Sequence, residues 1–327
     1  MRRSMRILVA AAIVLGVVAG WVRLPYYAVG PGPAREVEPL ITVEDHATYA
    51  SAGKLIMTTV SYYRVTPLLA LQAWIDPNFA VVNQSVLFPG GTTPQQEQQR
   101  AISQMDQSKI DAASVVLRRL TRYPKQHGSG ALIEGIELGC PADGRLFSGD
   151  LVTAIDGKTV TSDAAASAVL ADAAPTATIT FRVSAAGQTH DVTLVRKKCD
   201  PKVDKPLVGI VMVNPFPFPL SISSGDIGGP SAGLMWSLGL YDLLTPGDLT
   251  GGRTIAGTGT IDLNGKVGPI GGIADKVVAA QRVGATVFLA PKDNMKDLRG
   301  VDTAGMAVVP VGSFQDALHY LQPGATA

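Results

Sequence analysis

Asp226-Ile-Gly-Gly-Pro-Ser-Ala-Gly-Leu-Met-Trp-Ser-Leu-Gly-Leu240 starts as a glycine-rich turn and runs into an apolar helix, which puts Ser231 at or near a helix N-terminus. Free amides and the positive dipole end at such a position stabilise an oxyanion. Gly228 and Gly229 let the backbone approach a carbonyl group with no Cβ in the way. Pro230 has no N–H to donate and presets the dihedral leading into the helix. The oxyanion donors expected here are therefore the amides of Ser231 and of the Gly228-Gly229 turn. A serine N-cap after a glycine turn is the plainer reading of the same residues, and this stretch alone does not separate the two.

A hydroxyl nucleophile needs a base. The histidines His46, His127, His190 and His319 are far apart, and the half of the chain that follows Ser231 holds only His319. A lysine can substitute. Ile273 to Gly284 reads as a helix with an apolar face through Ile273, Val277, Ala280 and Val283 or Gly284, and Lys276 falls on that stripe. Apolar neighbours disfavour the charged form of an amine, so a buried lysine here would hold a lowered pKa and accept a serine proton. The alternative is that Lys276 snorkels from the edge of the stripe. Upstream, Thr254 to Ile261 and Lys266 to Ile270 flank Asn264-Gly265 and predict a hairpin. Thr258 on the first arm would face the site and hold the lysine amine, although threonine on a strand is by default a good β-former.

The combination Gly229-Pro-Ser-Ala-Gly233, Thr258-Gly259 and Gly265-Lys-Val-Gly-Pro-Ile-Gly-Gly-Ile-Ala-Asp-Lys276-Val-Val-Ala-Ala280 resembles the Lon protease catalytic domain, over about residues 208–321. The resemblance implies an α+β fold of the ribosomal protein S5 domain 2-like type, with Ser231 as nucleophile, Lys276 as general base and Thr258 orienting the lysine. It also suggests a ring of subunits. Where that family carries an acid three places before the serine, this chain has Gly228, with Asp226 two places earlier. The chain contains no GxxxxGK[ST] phosphate loop, so nucleotide is not expected to take part.

Between about His127 and Cys199 the texture changes to short strands and turns. The ordered words Gly130-Ala-Leu-Ile-Glu-Gly-Ile, Gly139-Cys-Pro-Ala and Ser148-Gly-Asp-Leu-Val-Thr-Ala-Ile-Asp-Gly-Lys158 resemble a bacterial PDZ domain. Such domains bind a peptide as an added strand and capture its carboxylate on backbone N–H groups. By this resemblance the capturing loop is Gly128-Ser129-Gly130, whose simpler reading is a turn before a strand. Lys54 to Tyr62 reads as a strand and Gln95 to Leu120 as a helix with apolar positions at Ile102, Met105, Ile110, Ala113 and Val116. Both are assigned to the peptidase part, which would make the PDZ domain an insertion.

Arg2, Arg3 and Arg6 precede an uncharged apolar run from Ile7 to Val22, expected to enter a membrane. A retained single-pass anchor is preferred to a cleaved signal peptide, with the N-terminus cytoplasmic and the body outside. Gly30-Pro31-Gly32-Pro33-Ala34 reads as a stiff connector. The expected division is an anchor over 1–24, a linker over 25–45, an N-terminal part of the peptidase over 46–124, a PDZ domain over 125–199 and the Lon-like domain over 200–322. The formal net charge of +1 leaves no basic surplus to neutralise a nucleic-acid backbone, so nucleic acid is not an expected partner. No CxxC or HExxH pattern supports a metal, and no cofactor is expected. Whether Cys140 and Cys199 are bonded is left open, since geometry decides it. The function expected is an ATP-independent, membrane-anchored serine endopeptidase acting on protein or peptide chains. The alternative is a PDZ-based adaptor on an idle peptidase fold.

Overall fold

β-Branched and aromatic side chains suit a pleated surface, and Lys54–Arg64 accordingly forms a long strand at the middle of the largest sheet. The structure, a computed structural model, describes residues 19–322 apart from 89–90, 186 and 200–203, together with 5, 10 and 16. Strands β1 (Tyr26–Glu36), β2 (Ile41–Val43), β3 (Lys54–Arg64) and β4 (Ala80–Asn83), with helices α1 (Pro67–Ile75) and α2 (Gln84–Leu87), lead into the long helix α3 (Pro94–Leu120). A second unit follows: β5 (Ala131–Ile136), β6 (Leu151–Ile155), β7 (Lys158–Thr159), α4 (Asp163–Asp172), β8 (Thr178–Ala185), β9 (Gln188–Val195) and β10 (Ile210–Val213). The chain then returns through β11 (Leu220–Ile222), α5 (Gly233–Leu244), β12 (Thr254–Gly257), β13 (Thr260–Ile261), β14 (Val267–Gly268), α6 (Ile273–Arg282), β15 (Val287–Pro291), β16 (Ala307–Val311) and α7 (Phe314–Leu321).

The large sheet runs β16-β15-β12-β3-β1-β4, parallel from β16 to β3 and antiparallel beyond. Strand β3 comes from before the second unit and β12 from after it, so one sheet joins both flanks of that unit. Side chains alternate across its faces. Leu55, Met57, Ile255 and Leu289 share a core with α3 and α5, while Ile56, Ala256, Phe288 and Ala290 pack with Ile273, Val277 and Ala280 of α6. Each large side chain so buried contributes roughly 1.5–3 kcal/mol. Helix α5 is buried along almost its whole length, with Trp236 in its first turn. Helix α3 starts at a capping box, in which Thr93 accepts from Gln96 N and Gln96 accepts from Thr93 N. Met105, Ile110, Ala113 and Val116 are buried as its periodicity predicts, whereas Ile102 stays exposed.

The second unit is the antiparallel sheet β10-β5-β6-β8-β9 with β7 beside β6, closed over a core of Ile133, Val152, Ile155, Phe181 and Val183. It extends past the boundary expected at Cys199, because β10 pairs with β5. Cys140 and Cys199 are joined by a disulfide, with their Cα atoms 5.1 Å apart.

Three further expectations are corrected. Residues 30–34 are not a connector but part of β1, paired to β3 with a register shift between Pro31 and Ala34. The strand Thr254–Gly257 joins the large sheet, so the hairpin shrinks to β13 and β14. No helix among the described residues is long and apolar enough to cross a membrane, and the single-pass anchor, with the outside placement that rested on it, is not supported. Residues 1–4, 6–9, 11–15 and 17–18 of that segment lie outside the described ones.

Candidate active site

Ser231 sits in a short 3-10 turn, Pro230–Ala232, that feeds straight into α5. Its backbone carbonyl is held twice from the end of β12: Gly259 N donates to it at 2.8 Å and Thr258 Oγ1 at 2.9 Å. Leu234 N donates in return to Gly259 O at 3.1 Å. The Ser231 turn is thereby tied to the rim of the large sheet.

Lys276 reaches the same point from the opposite face of that sheet's edge. Helix α6 opens on Gly272 at φ 65°, where a Cβ would lie 2.7 Å from Val60 Cγ2, so only glycine lets the helix start so close to β3. One turn later Lys276 Nζ lies 2.7 Å from Ser231 Oγ and donates to Thr258 Oγ1 at 2.9 Å. Lys276 is 3 % exposed and Thr258 fully buried. No ion pair among the described residues involves Lys276. Burial pushes its amine down from 10.5 to about 7, because removal of water disfavours the ammonium form. With Thr258 donating to the Ser231 carbonyl and accepting from the amine, Lys276 in its neutral form is free to turn its lone pair to the serine hydroxyl.

The expected oxyanion donors divide. Gly229 N donates to Ala101 O of α3 at 2.6 Å, so this amide is already spent. The Gly228 amide, and that of Ser231 in the first turn where N–H groups lack an intrahelical partner, remain. Gly228 packs on α3 so closely that a Cβ there would lie 2.7 Å from Ala101 Cβ, which leaves no room for an acidic side chain. Asp226 is exposed. The cleft in front of Ser231, about 670 Å³, is walled by Thr58 to Tyr62 of β3, Gln98 and Gly271. β3 pairs with β12 only up to Met57, so from Thr58 onward that edge of β3 is open toward the cleft.

Gly128-Ser129-Gly130 leads into β5, an inner strand paired with β10 on one side and β6 on the other. Gly128 N donates to the carbonyls of Pro215 and Phe216, each at 3.2 Å, and His127 Nδ1 lies 2.6 Å from Gly128 O. The second unit's open edge beside a helix is that of β10, whose last residue precedes Asn214, and Asn214 Oδ1 accepts from Asp163 N at the start of α4. The apolar run Ile210-Val-Met-Val213 behind Gly209 was the sequence signal for this strand. Ala101 and Ser108, which hold the Ser231 turn from α3, carry no such signal.

Residues 223–321 match the family model of the Lon protease (S16) C-terminal proteolytic domain. A Lon protease of Roseiflexus castenholzii is 49% identical over 71 residues, 22% of this chain and 9% of its own length. Lon protease 1 of Bacillus subtilis is 42% identical over 73 residues, again 22% and 9%. The chain thus spans about a tenth of the length of these curated relatives. Among solved structures, the PDZ domain of an SdrC-like protein from Listeria monocytogenes aligns at 22% identity and a TM-score of 0.24, covering 26% of this chain and 88% of that one. The C-terminal third of the chain is thus similar to the proteolytic domain of a serine-type peptidase. The similarity is to the Lon-type proteolytic domain and is confined to residues 223–321.

Proposed function

We propose that this chain is an ATP-independent endopeptidase in which Ser231 is the nucleophile, Lys276 its general base and Thr258 the residue that aims the lysine. The observation that carries this reading is the 2.7 Å approach of a buried amine to Ser231 Oγ. Neutral Lys276 takes the hydroxyl proton as Oγ attacks the scissile carbonyl. The negative oxygen of the tetrahedral intermediate is met by the Gly228 and Ser231 amides. The Lys276 ammonium then protonates the leaving amine, the C–N bond breaks and an acyl-enzyme remains. Water, deprotonated by the same amine, hydrolyses the ester and returns Ser231.

The open edge of β3 favours a substrate that enters as an extended strand, and the absence of a phosphate-loop motif from this chain fits unfolded rather than folded targets. The edge of β10 beside α4 is the proposed place where the PDZ-like unit takes up a peptide by strand addition, in place of the loop 128–130. Ser231→Ala and Lys276→Ala variants, assayed on an unstructured fluorogenic chain and by fluorophosphonate labelling, test the reading. Both should lose hydrolysis, and the label should map to Ser231 in the unmutated protein. Hydrolysis by Ser231→Ala at the unmutated rate would sink the proposal and leave the adaptor reading.

A further inference from the structure

Helix α3 presents two faces to two different parts of the molecule. Ala101, Met105 and Ser108, spaced i, i+4 and i+7, form one stripe on the nucleophile turn. The Ala101 carbonyl accepts from Gly229 N at 2.6 Å, Ser108 Oγ donates to Pro230 O at 3.0 Å, and Met105 Sδ accepts from Trp236 Nε1 at 3.4 Å. The two residues that precede Ser231, and Trp236 one helical turn beyond it, are thus fixed to α3. Gln107 and Asp111, at i and i+4, form an adjacent stripe that faces β5 of the second unit. Gln107 Nε2 donates to Glu134 Oε1 at 2.7 Å.

Glu134 occupies a special place in its sheet. β10 pairs Val211 with Gly135 and Met212 with Ile133, so Glu134 is the extra residue at a register shift. Such a bulge turns a side chain out of the ladder, and here the side chain reaches α3. Glu134 is buried, and Gly135 beside it packs on the Gln107 amide. The bulge adjoins β10, the strand with the open edge.

We propose that α3 is a rigid link through which the second unit sets the position of the Ser231 turn, with Ser108 and the Ala101 carbonyl as positioning groups and Glu134 as the contact that engages them. The inference rests on the Ser231/Lys276 reading. From Ala101 to Gln107 the helix rises only about 9 Å, so a shift imposed at Glu134 arrives at Gly229 and Pro230 undamped. A displacement of a nucleophile by about 1 Å lowers a rate by on the order of 100-fold, so small shifts suffice. Strand addition to β10 would act on the bulge, and so on the turn, without touching the cleft.

The test uses the full chain with Glu134→Ala, Glu134→Gln, Ser108→Ala, Ser108→Thr and the double Glu134→Ala/Ser108→Ala. Turnover of fluorescein-labelled casein gives kcat and KM, and hydrogen exchange by mass spectrometry reports the amides of residues 226–234. Glu134→Ala and Ser108→Ala should each lower kcat about fivefold with KM within about twofold, as expected for a lost buried hydrogen bond that acts on position rather than binding. Glu134→Gln keeps an acceptor for Gln107 and Ser108→Thr keeps the hydroxyl, so both should restore the rate. The double variant should be no slower than the slower single one, because both act through one helix. Glu134→Ala should also speed exchange at 226–234. Multiplicative losses in the double variant, or unchanged kcat and exchange in Glu134→Ala, overturn the link. A chain that leaves casein intact in every form sinks the peptidase reading instead, and the exchange data then decide the link alone.

Discussion

Replacing Lys276 by methionine should abolish hydrolysis and yet make the protein more stable at acid and neutral pH. The amine is held at about 7 in the folded chain against 10.5 for an exposed lysine. As pH falls through 10.5 the unfolded chain takes up a proton that the folded chain refuses until about 7, so the native state loses stability across that window and the loss is constant below it. Its full size is about 5 kcal/mol. Methionine, similar in volume and uncharged, removes this cost but also the contacts to Ser231 Oγ and Thr258 Oγ1, worth about 1 kcal/mol each. A net gain of about 3 kcal/mol at pH 6 is expected, shrinking to nothing or reversing near pH 10.5. Urea unfolding followed by the fluorescence of buried Trp236, at pH 6, 8 and 10, measures it. A Lys276→Met protein that is less stable than the parent at pH 6, or whose stability difference is the same at pH 6 and 10, would refute the claim that this amine is held neutral by burial.

The same amine sets the pH profile: kcat/KM on an unstructured peptide should fall about tenfold from pH 8 to pH 6 as Lys276 is protonated, and a profile flat through that range would count against it. Thr258→Val should lower kcat by about tenfold with little change in KM, since the valine keeps the volume but no longer aims the amine; an equal loss in KM would place Thr258 in substrate binding. Burial, then the charge of the neighbouring Glu134, hold the Asp111 carboxyl well above the usual range. An acid raised in this way costs stability progressively as pH rises above its unfolded value, so Asp111→Asn should stabilise the protein at pH 8 and do little at pH 3, read by thermal melting. Reducing the Cys140–Cys199 disulfide, which spans a separation of 59 residues, should destabilise the second unit by about 4 kcal/mol in denaturant titrations with and without dithiothreitol.

What the sequence made legible were elements whose local pattern and final environment agree. Lys54 to Tyr62 reads as a strand and is one, because its β-branched and aromatic residues suit a sheet and Leu55 to Thr58 are buried on both faces. Helix α3 announces its start with Thr93, Pro94 and Gln96. Lys276 could be placed on an apolar stripe, but not its distance to Ser231, which depends on how α6 crosses β3 at Gly272. The misreadings came where pairing partners override local preference. Pro31 and Pro33 looked like linker residues, yet β4 pairs β1 only over Tyr26 to Val29, so prolines farther along face an edge where no ladder hydrogen bond is lost. Gly229 looked like a free donor, and only the packing of α3 reveals that its amide is taken.

The interleaved sheet has a consequence for the order in which a nascent chain acquires danger. The wall of the cleft, Thr58 to Tyr62, leaves the ribosome first, the nucleophile much later and the base on α6 last of the three. Because β12 must slot beside a β3 synthesised some two hundred positions before it, cutting power arises only when both flanks of the intervening unit are finished and meet. Under the proposed mechanism the site is therefore complete only after residues on both sides of the second unit have been synthesised.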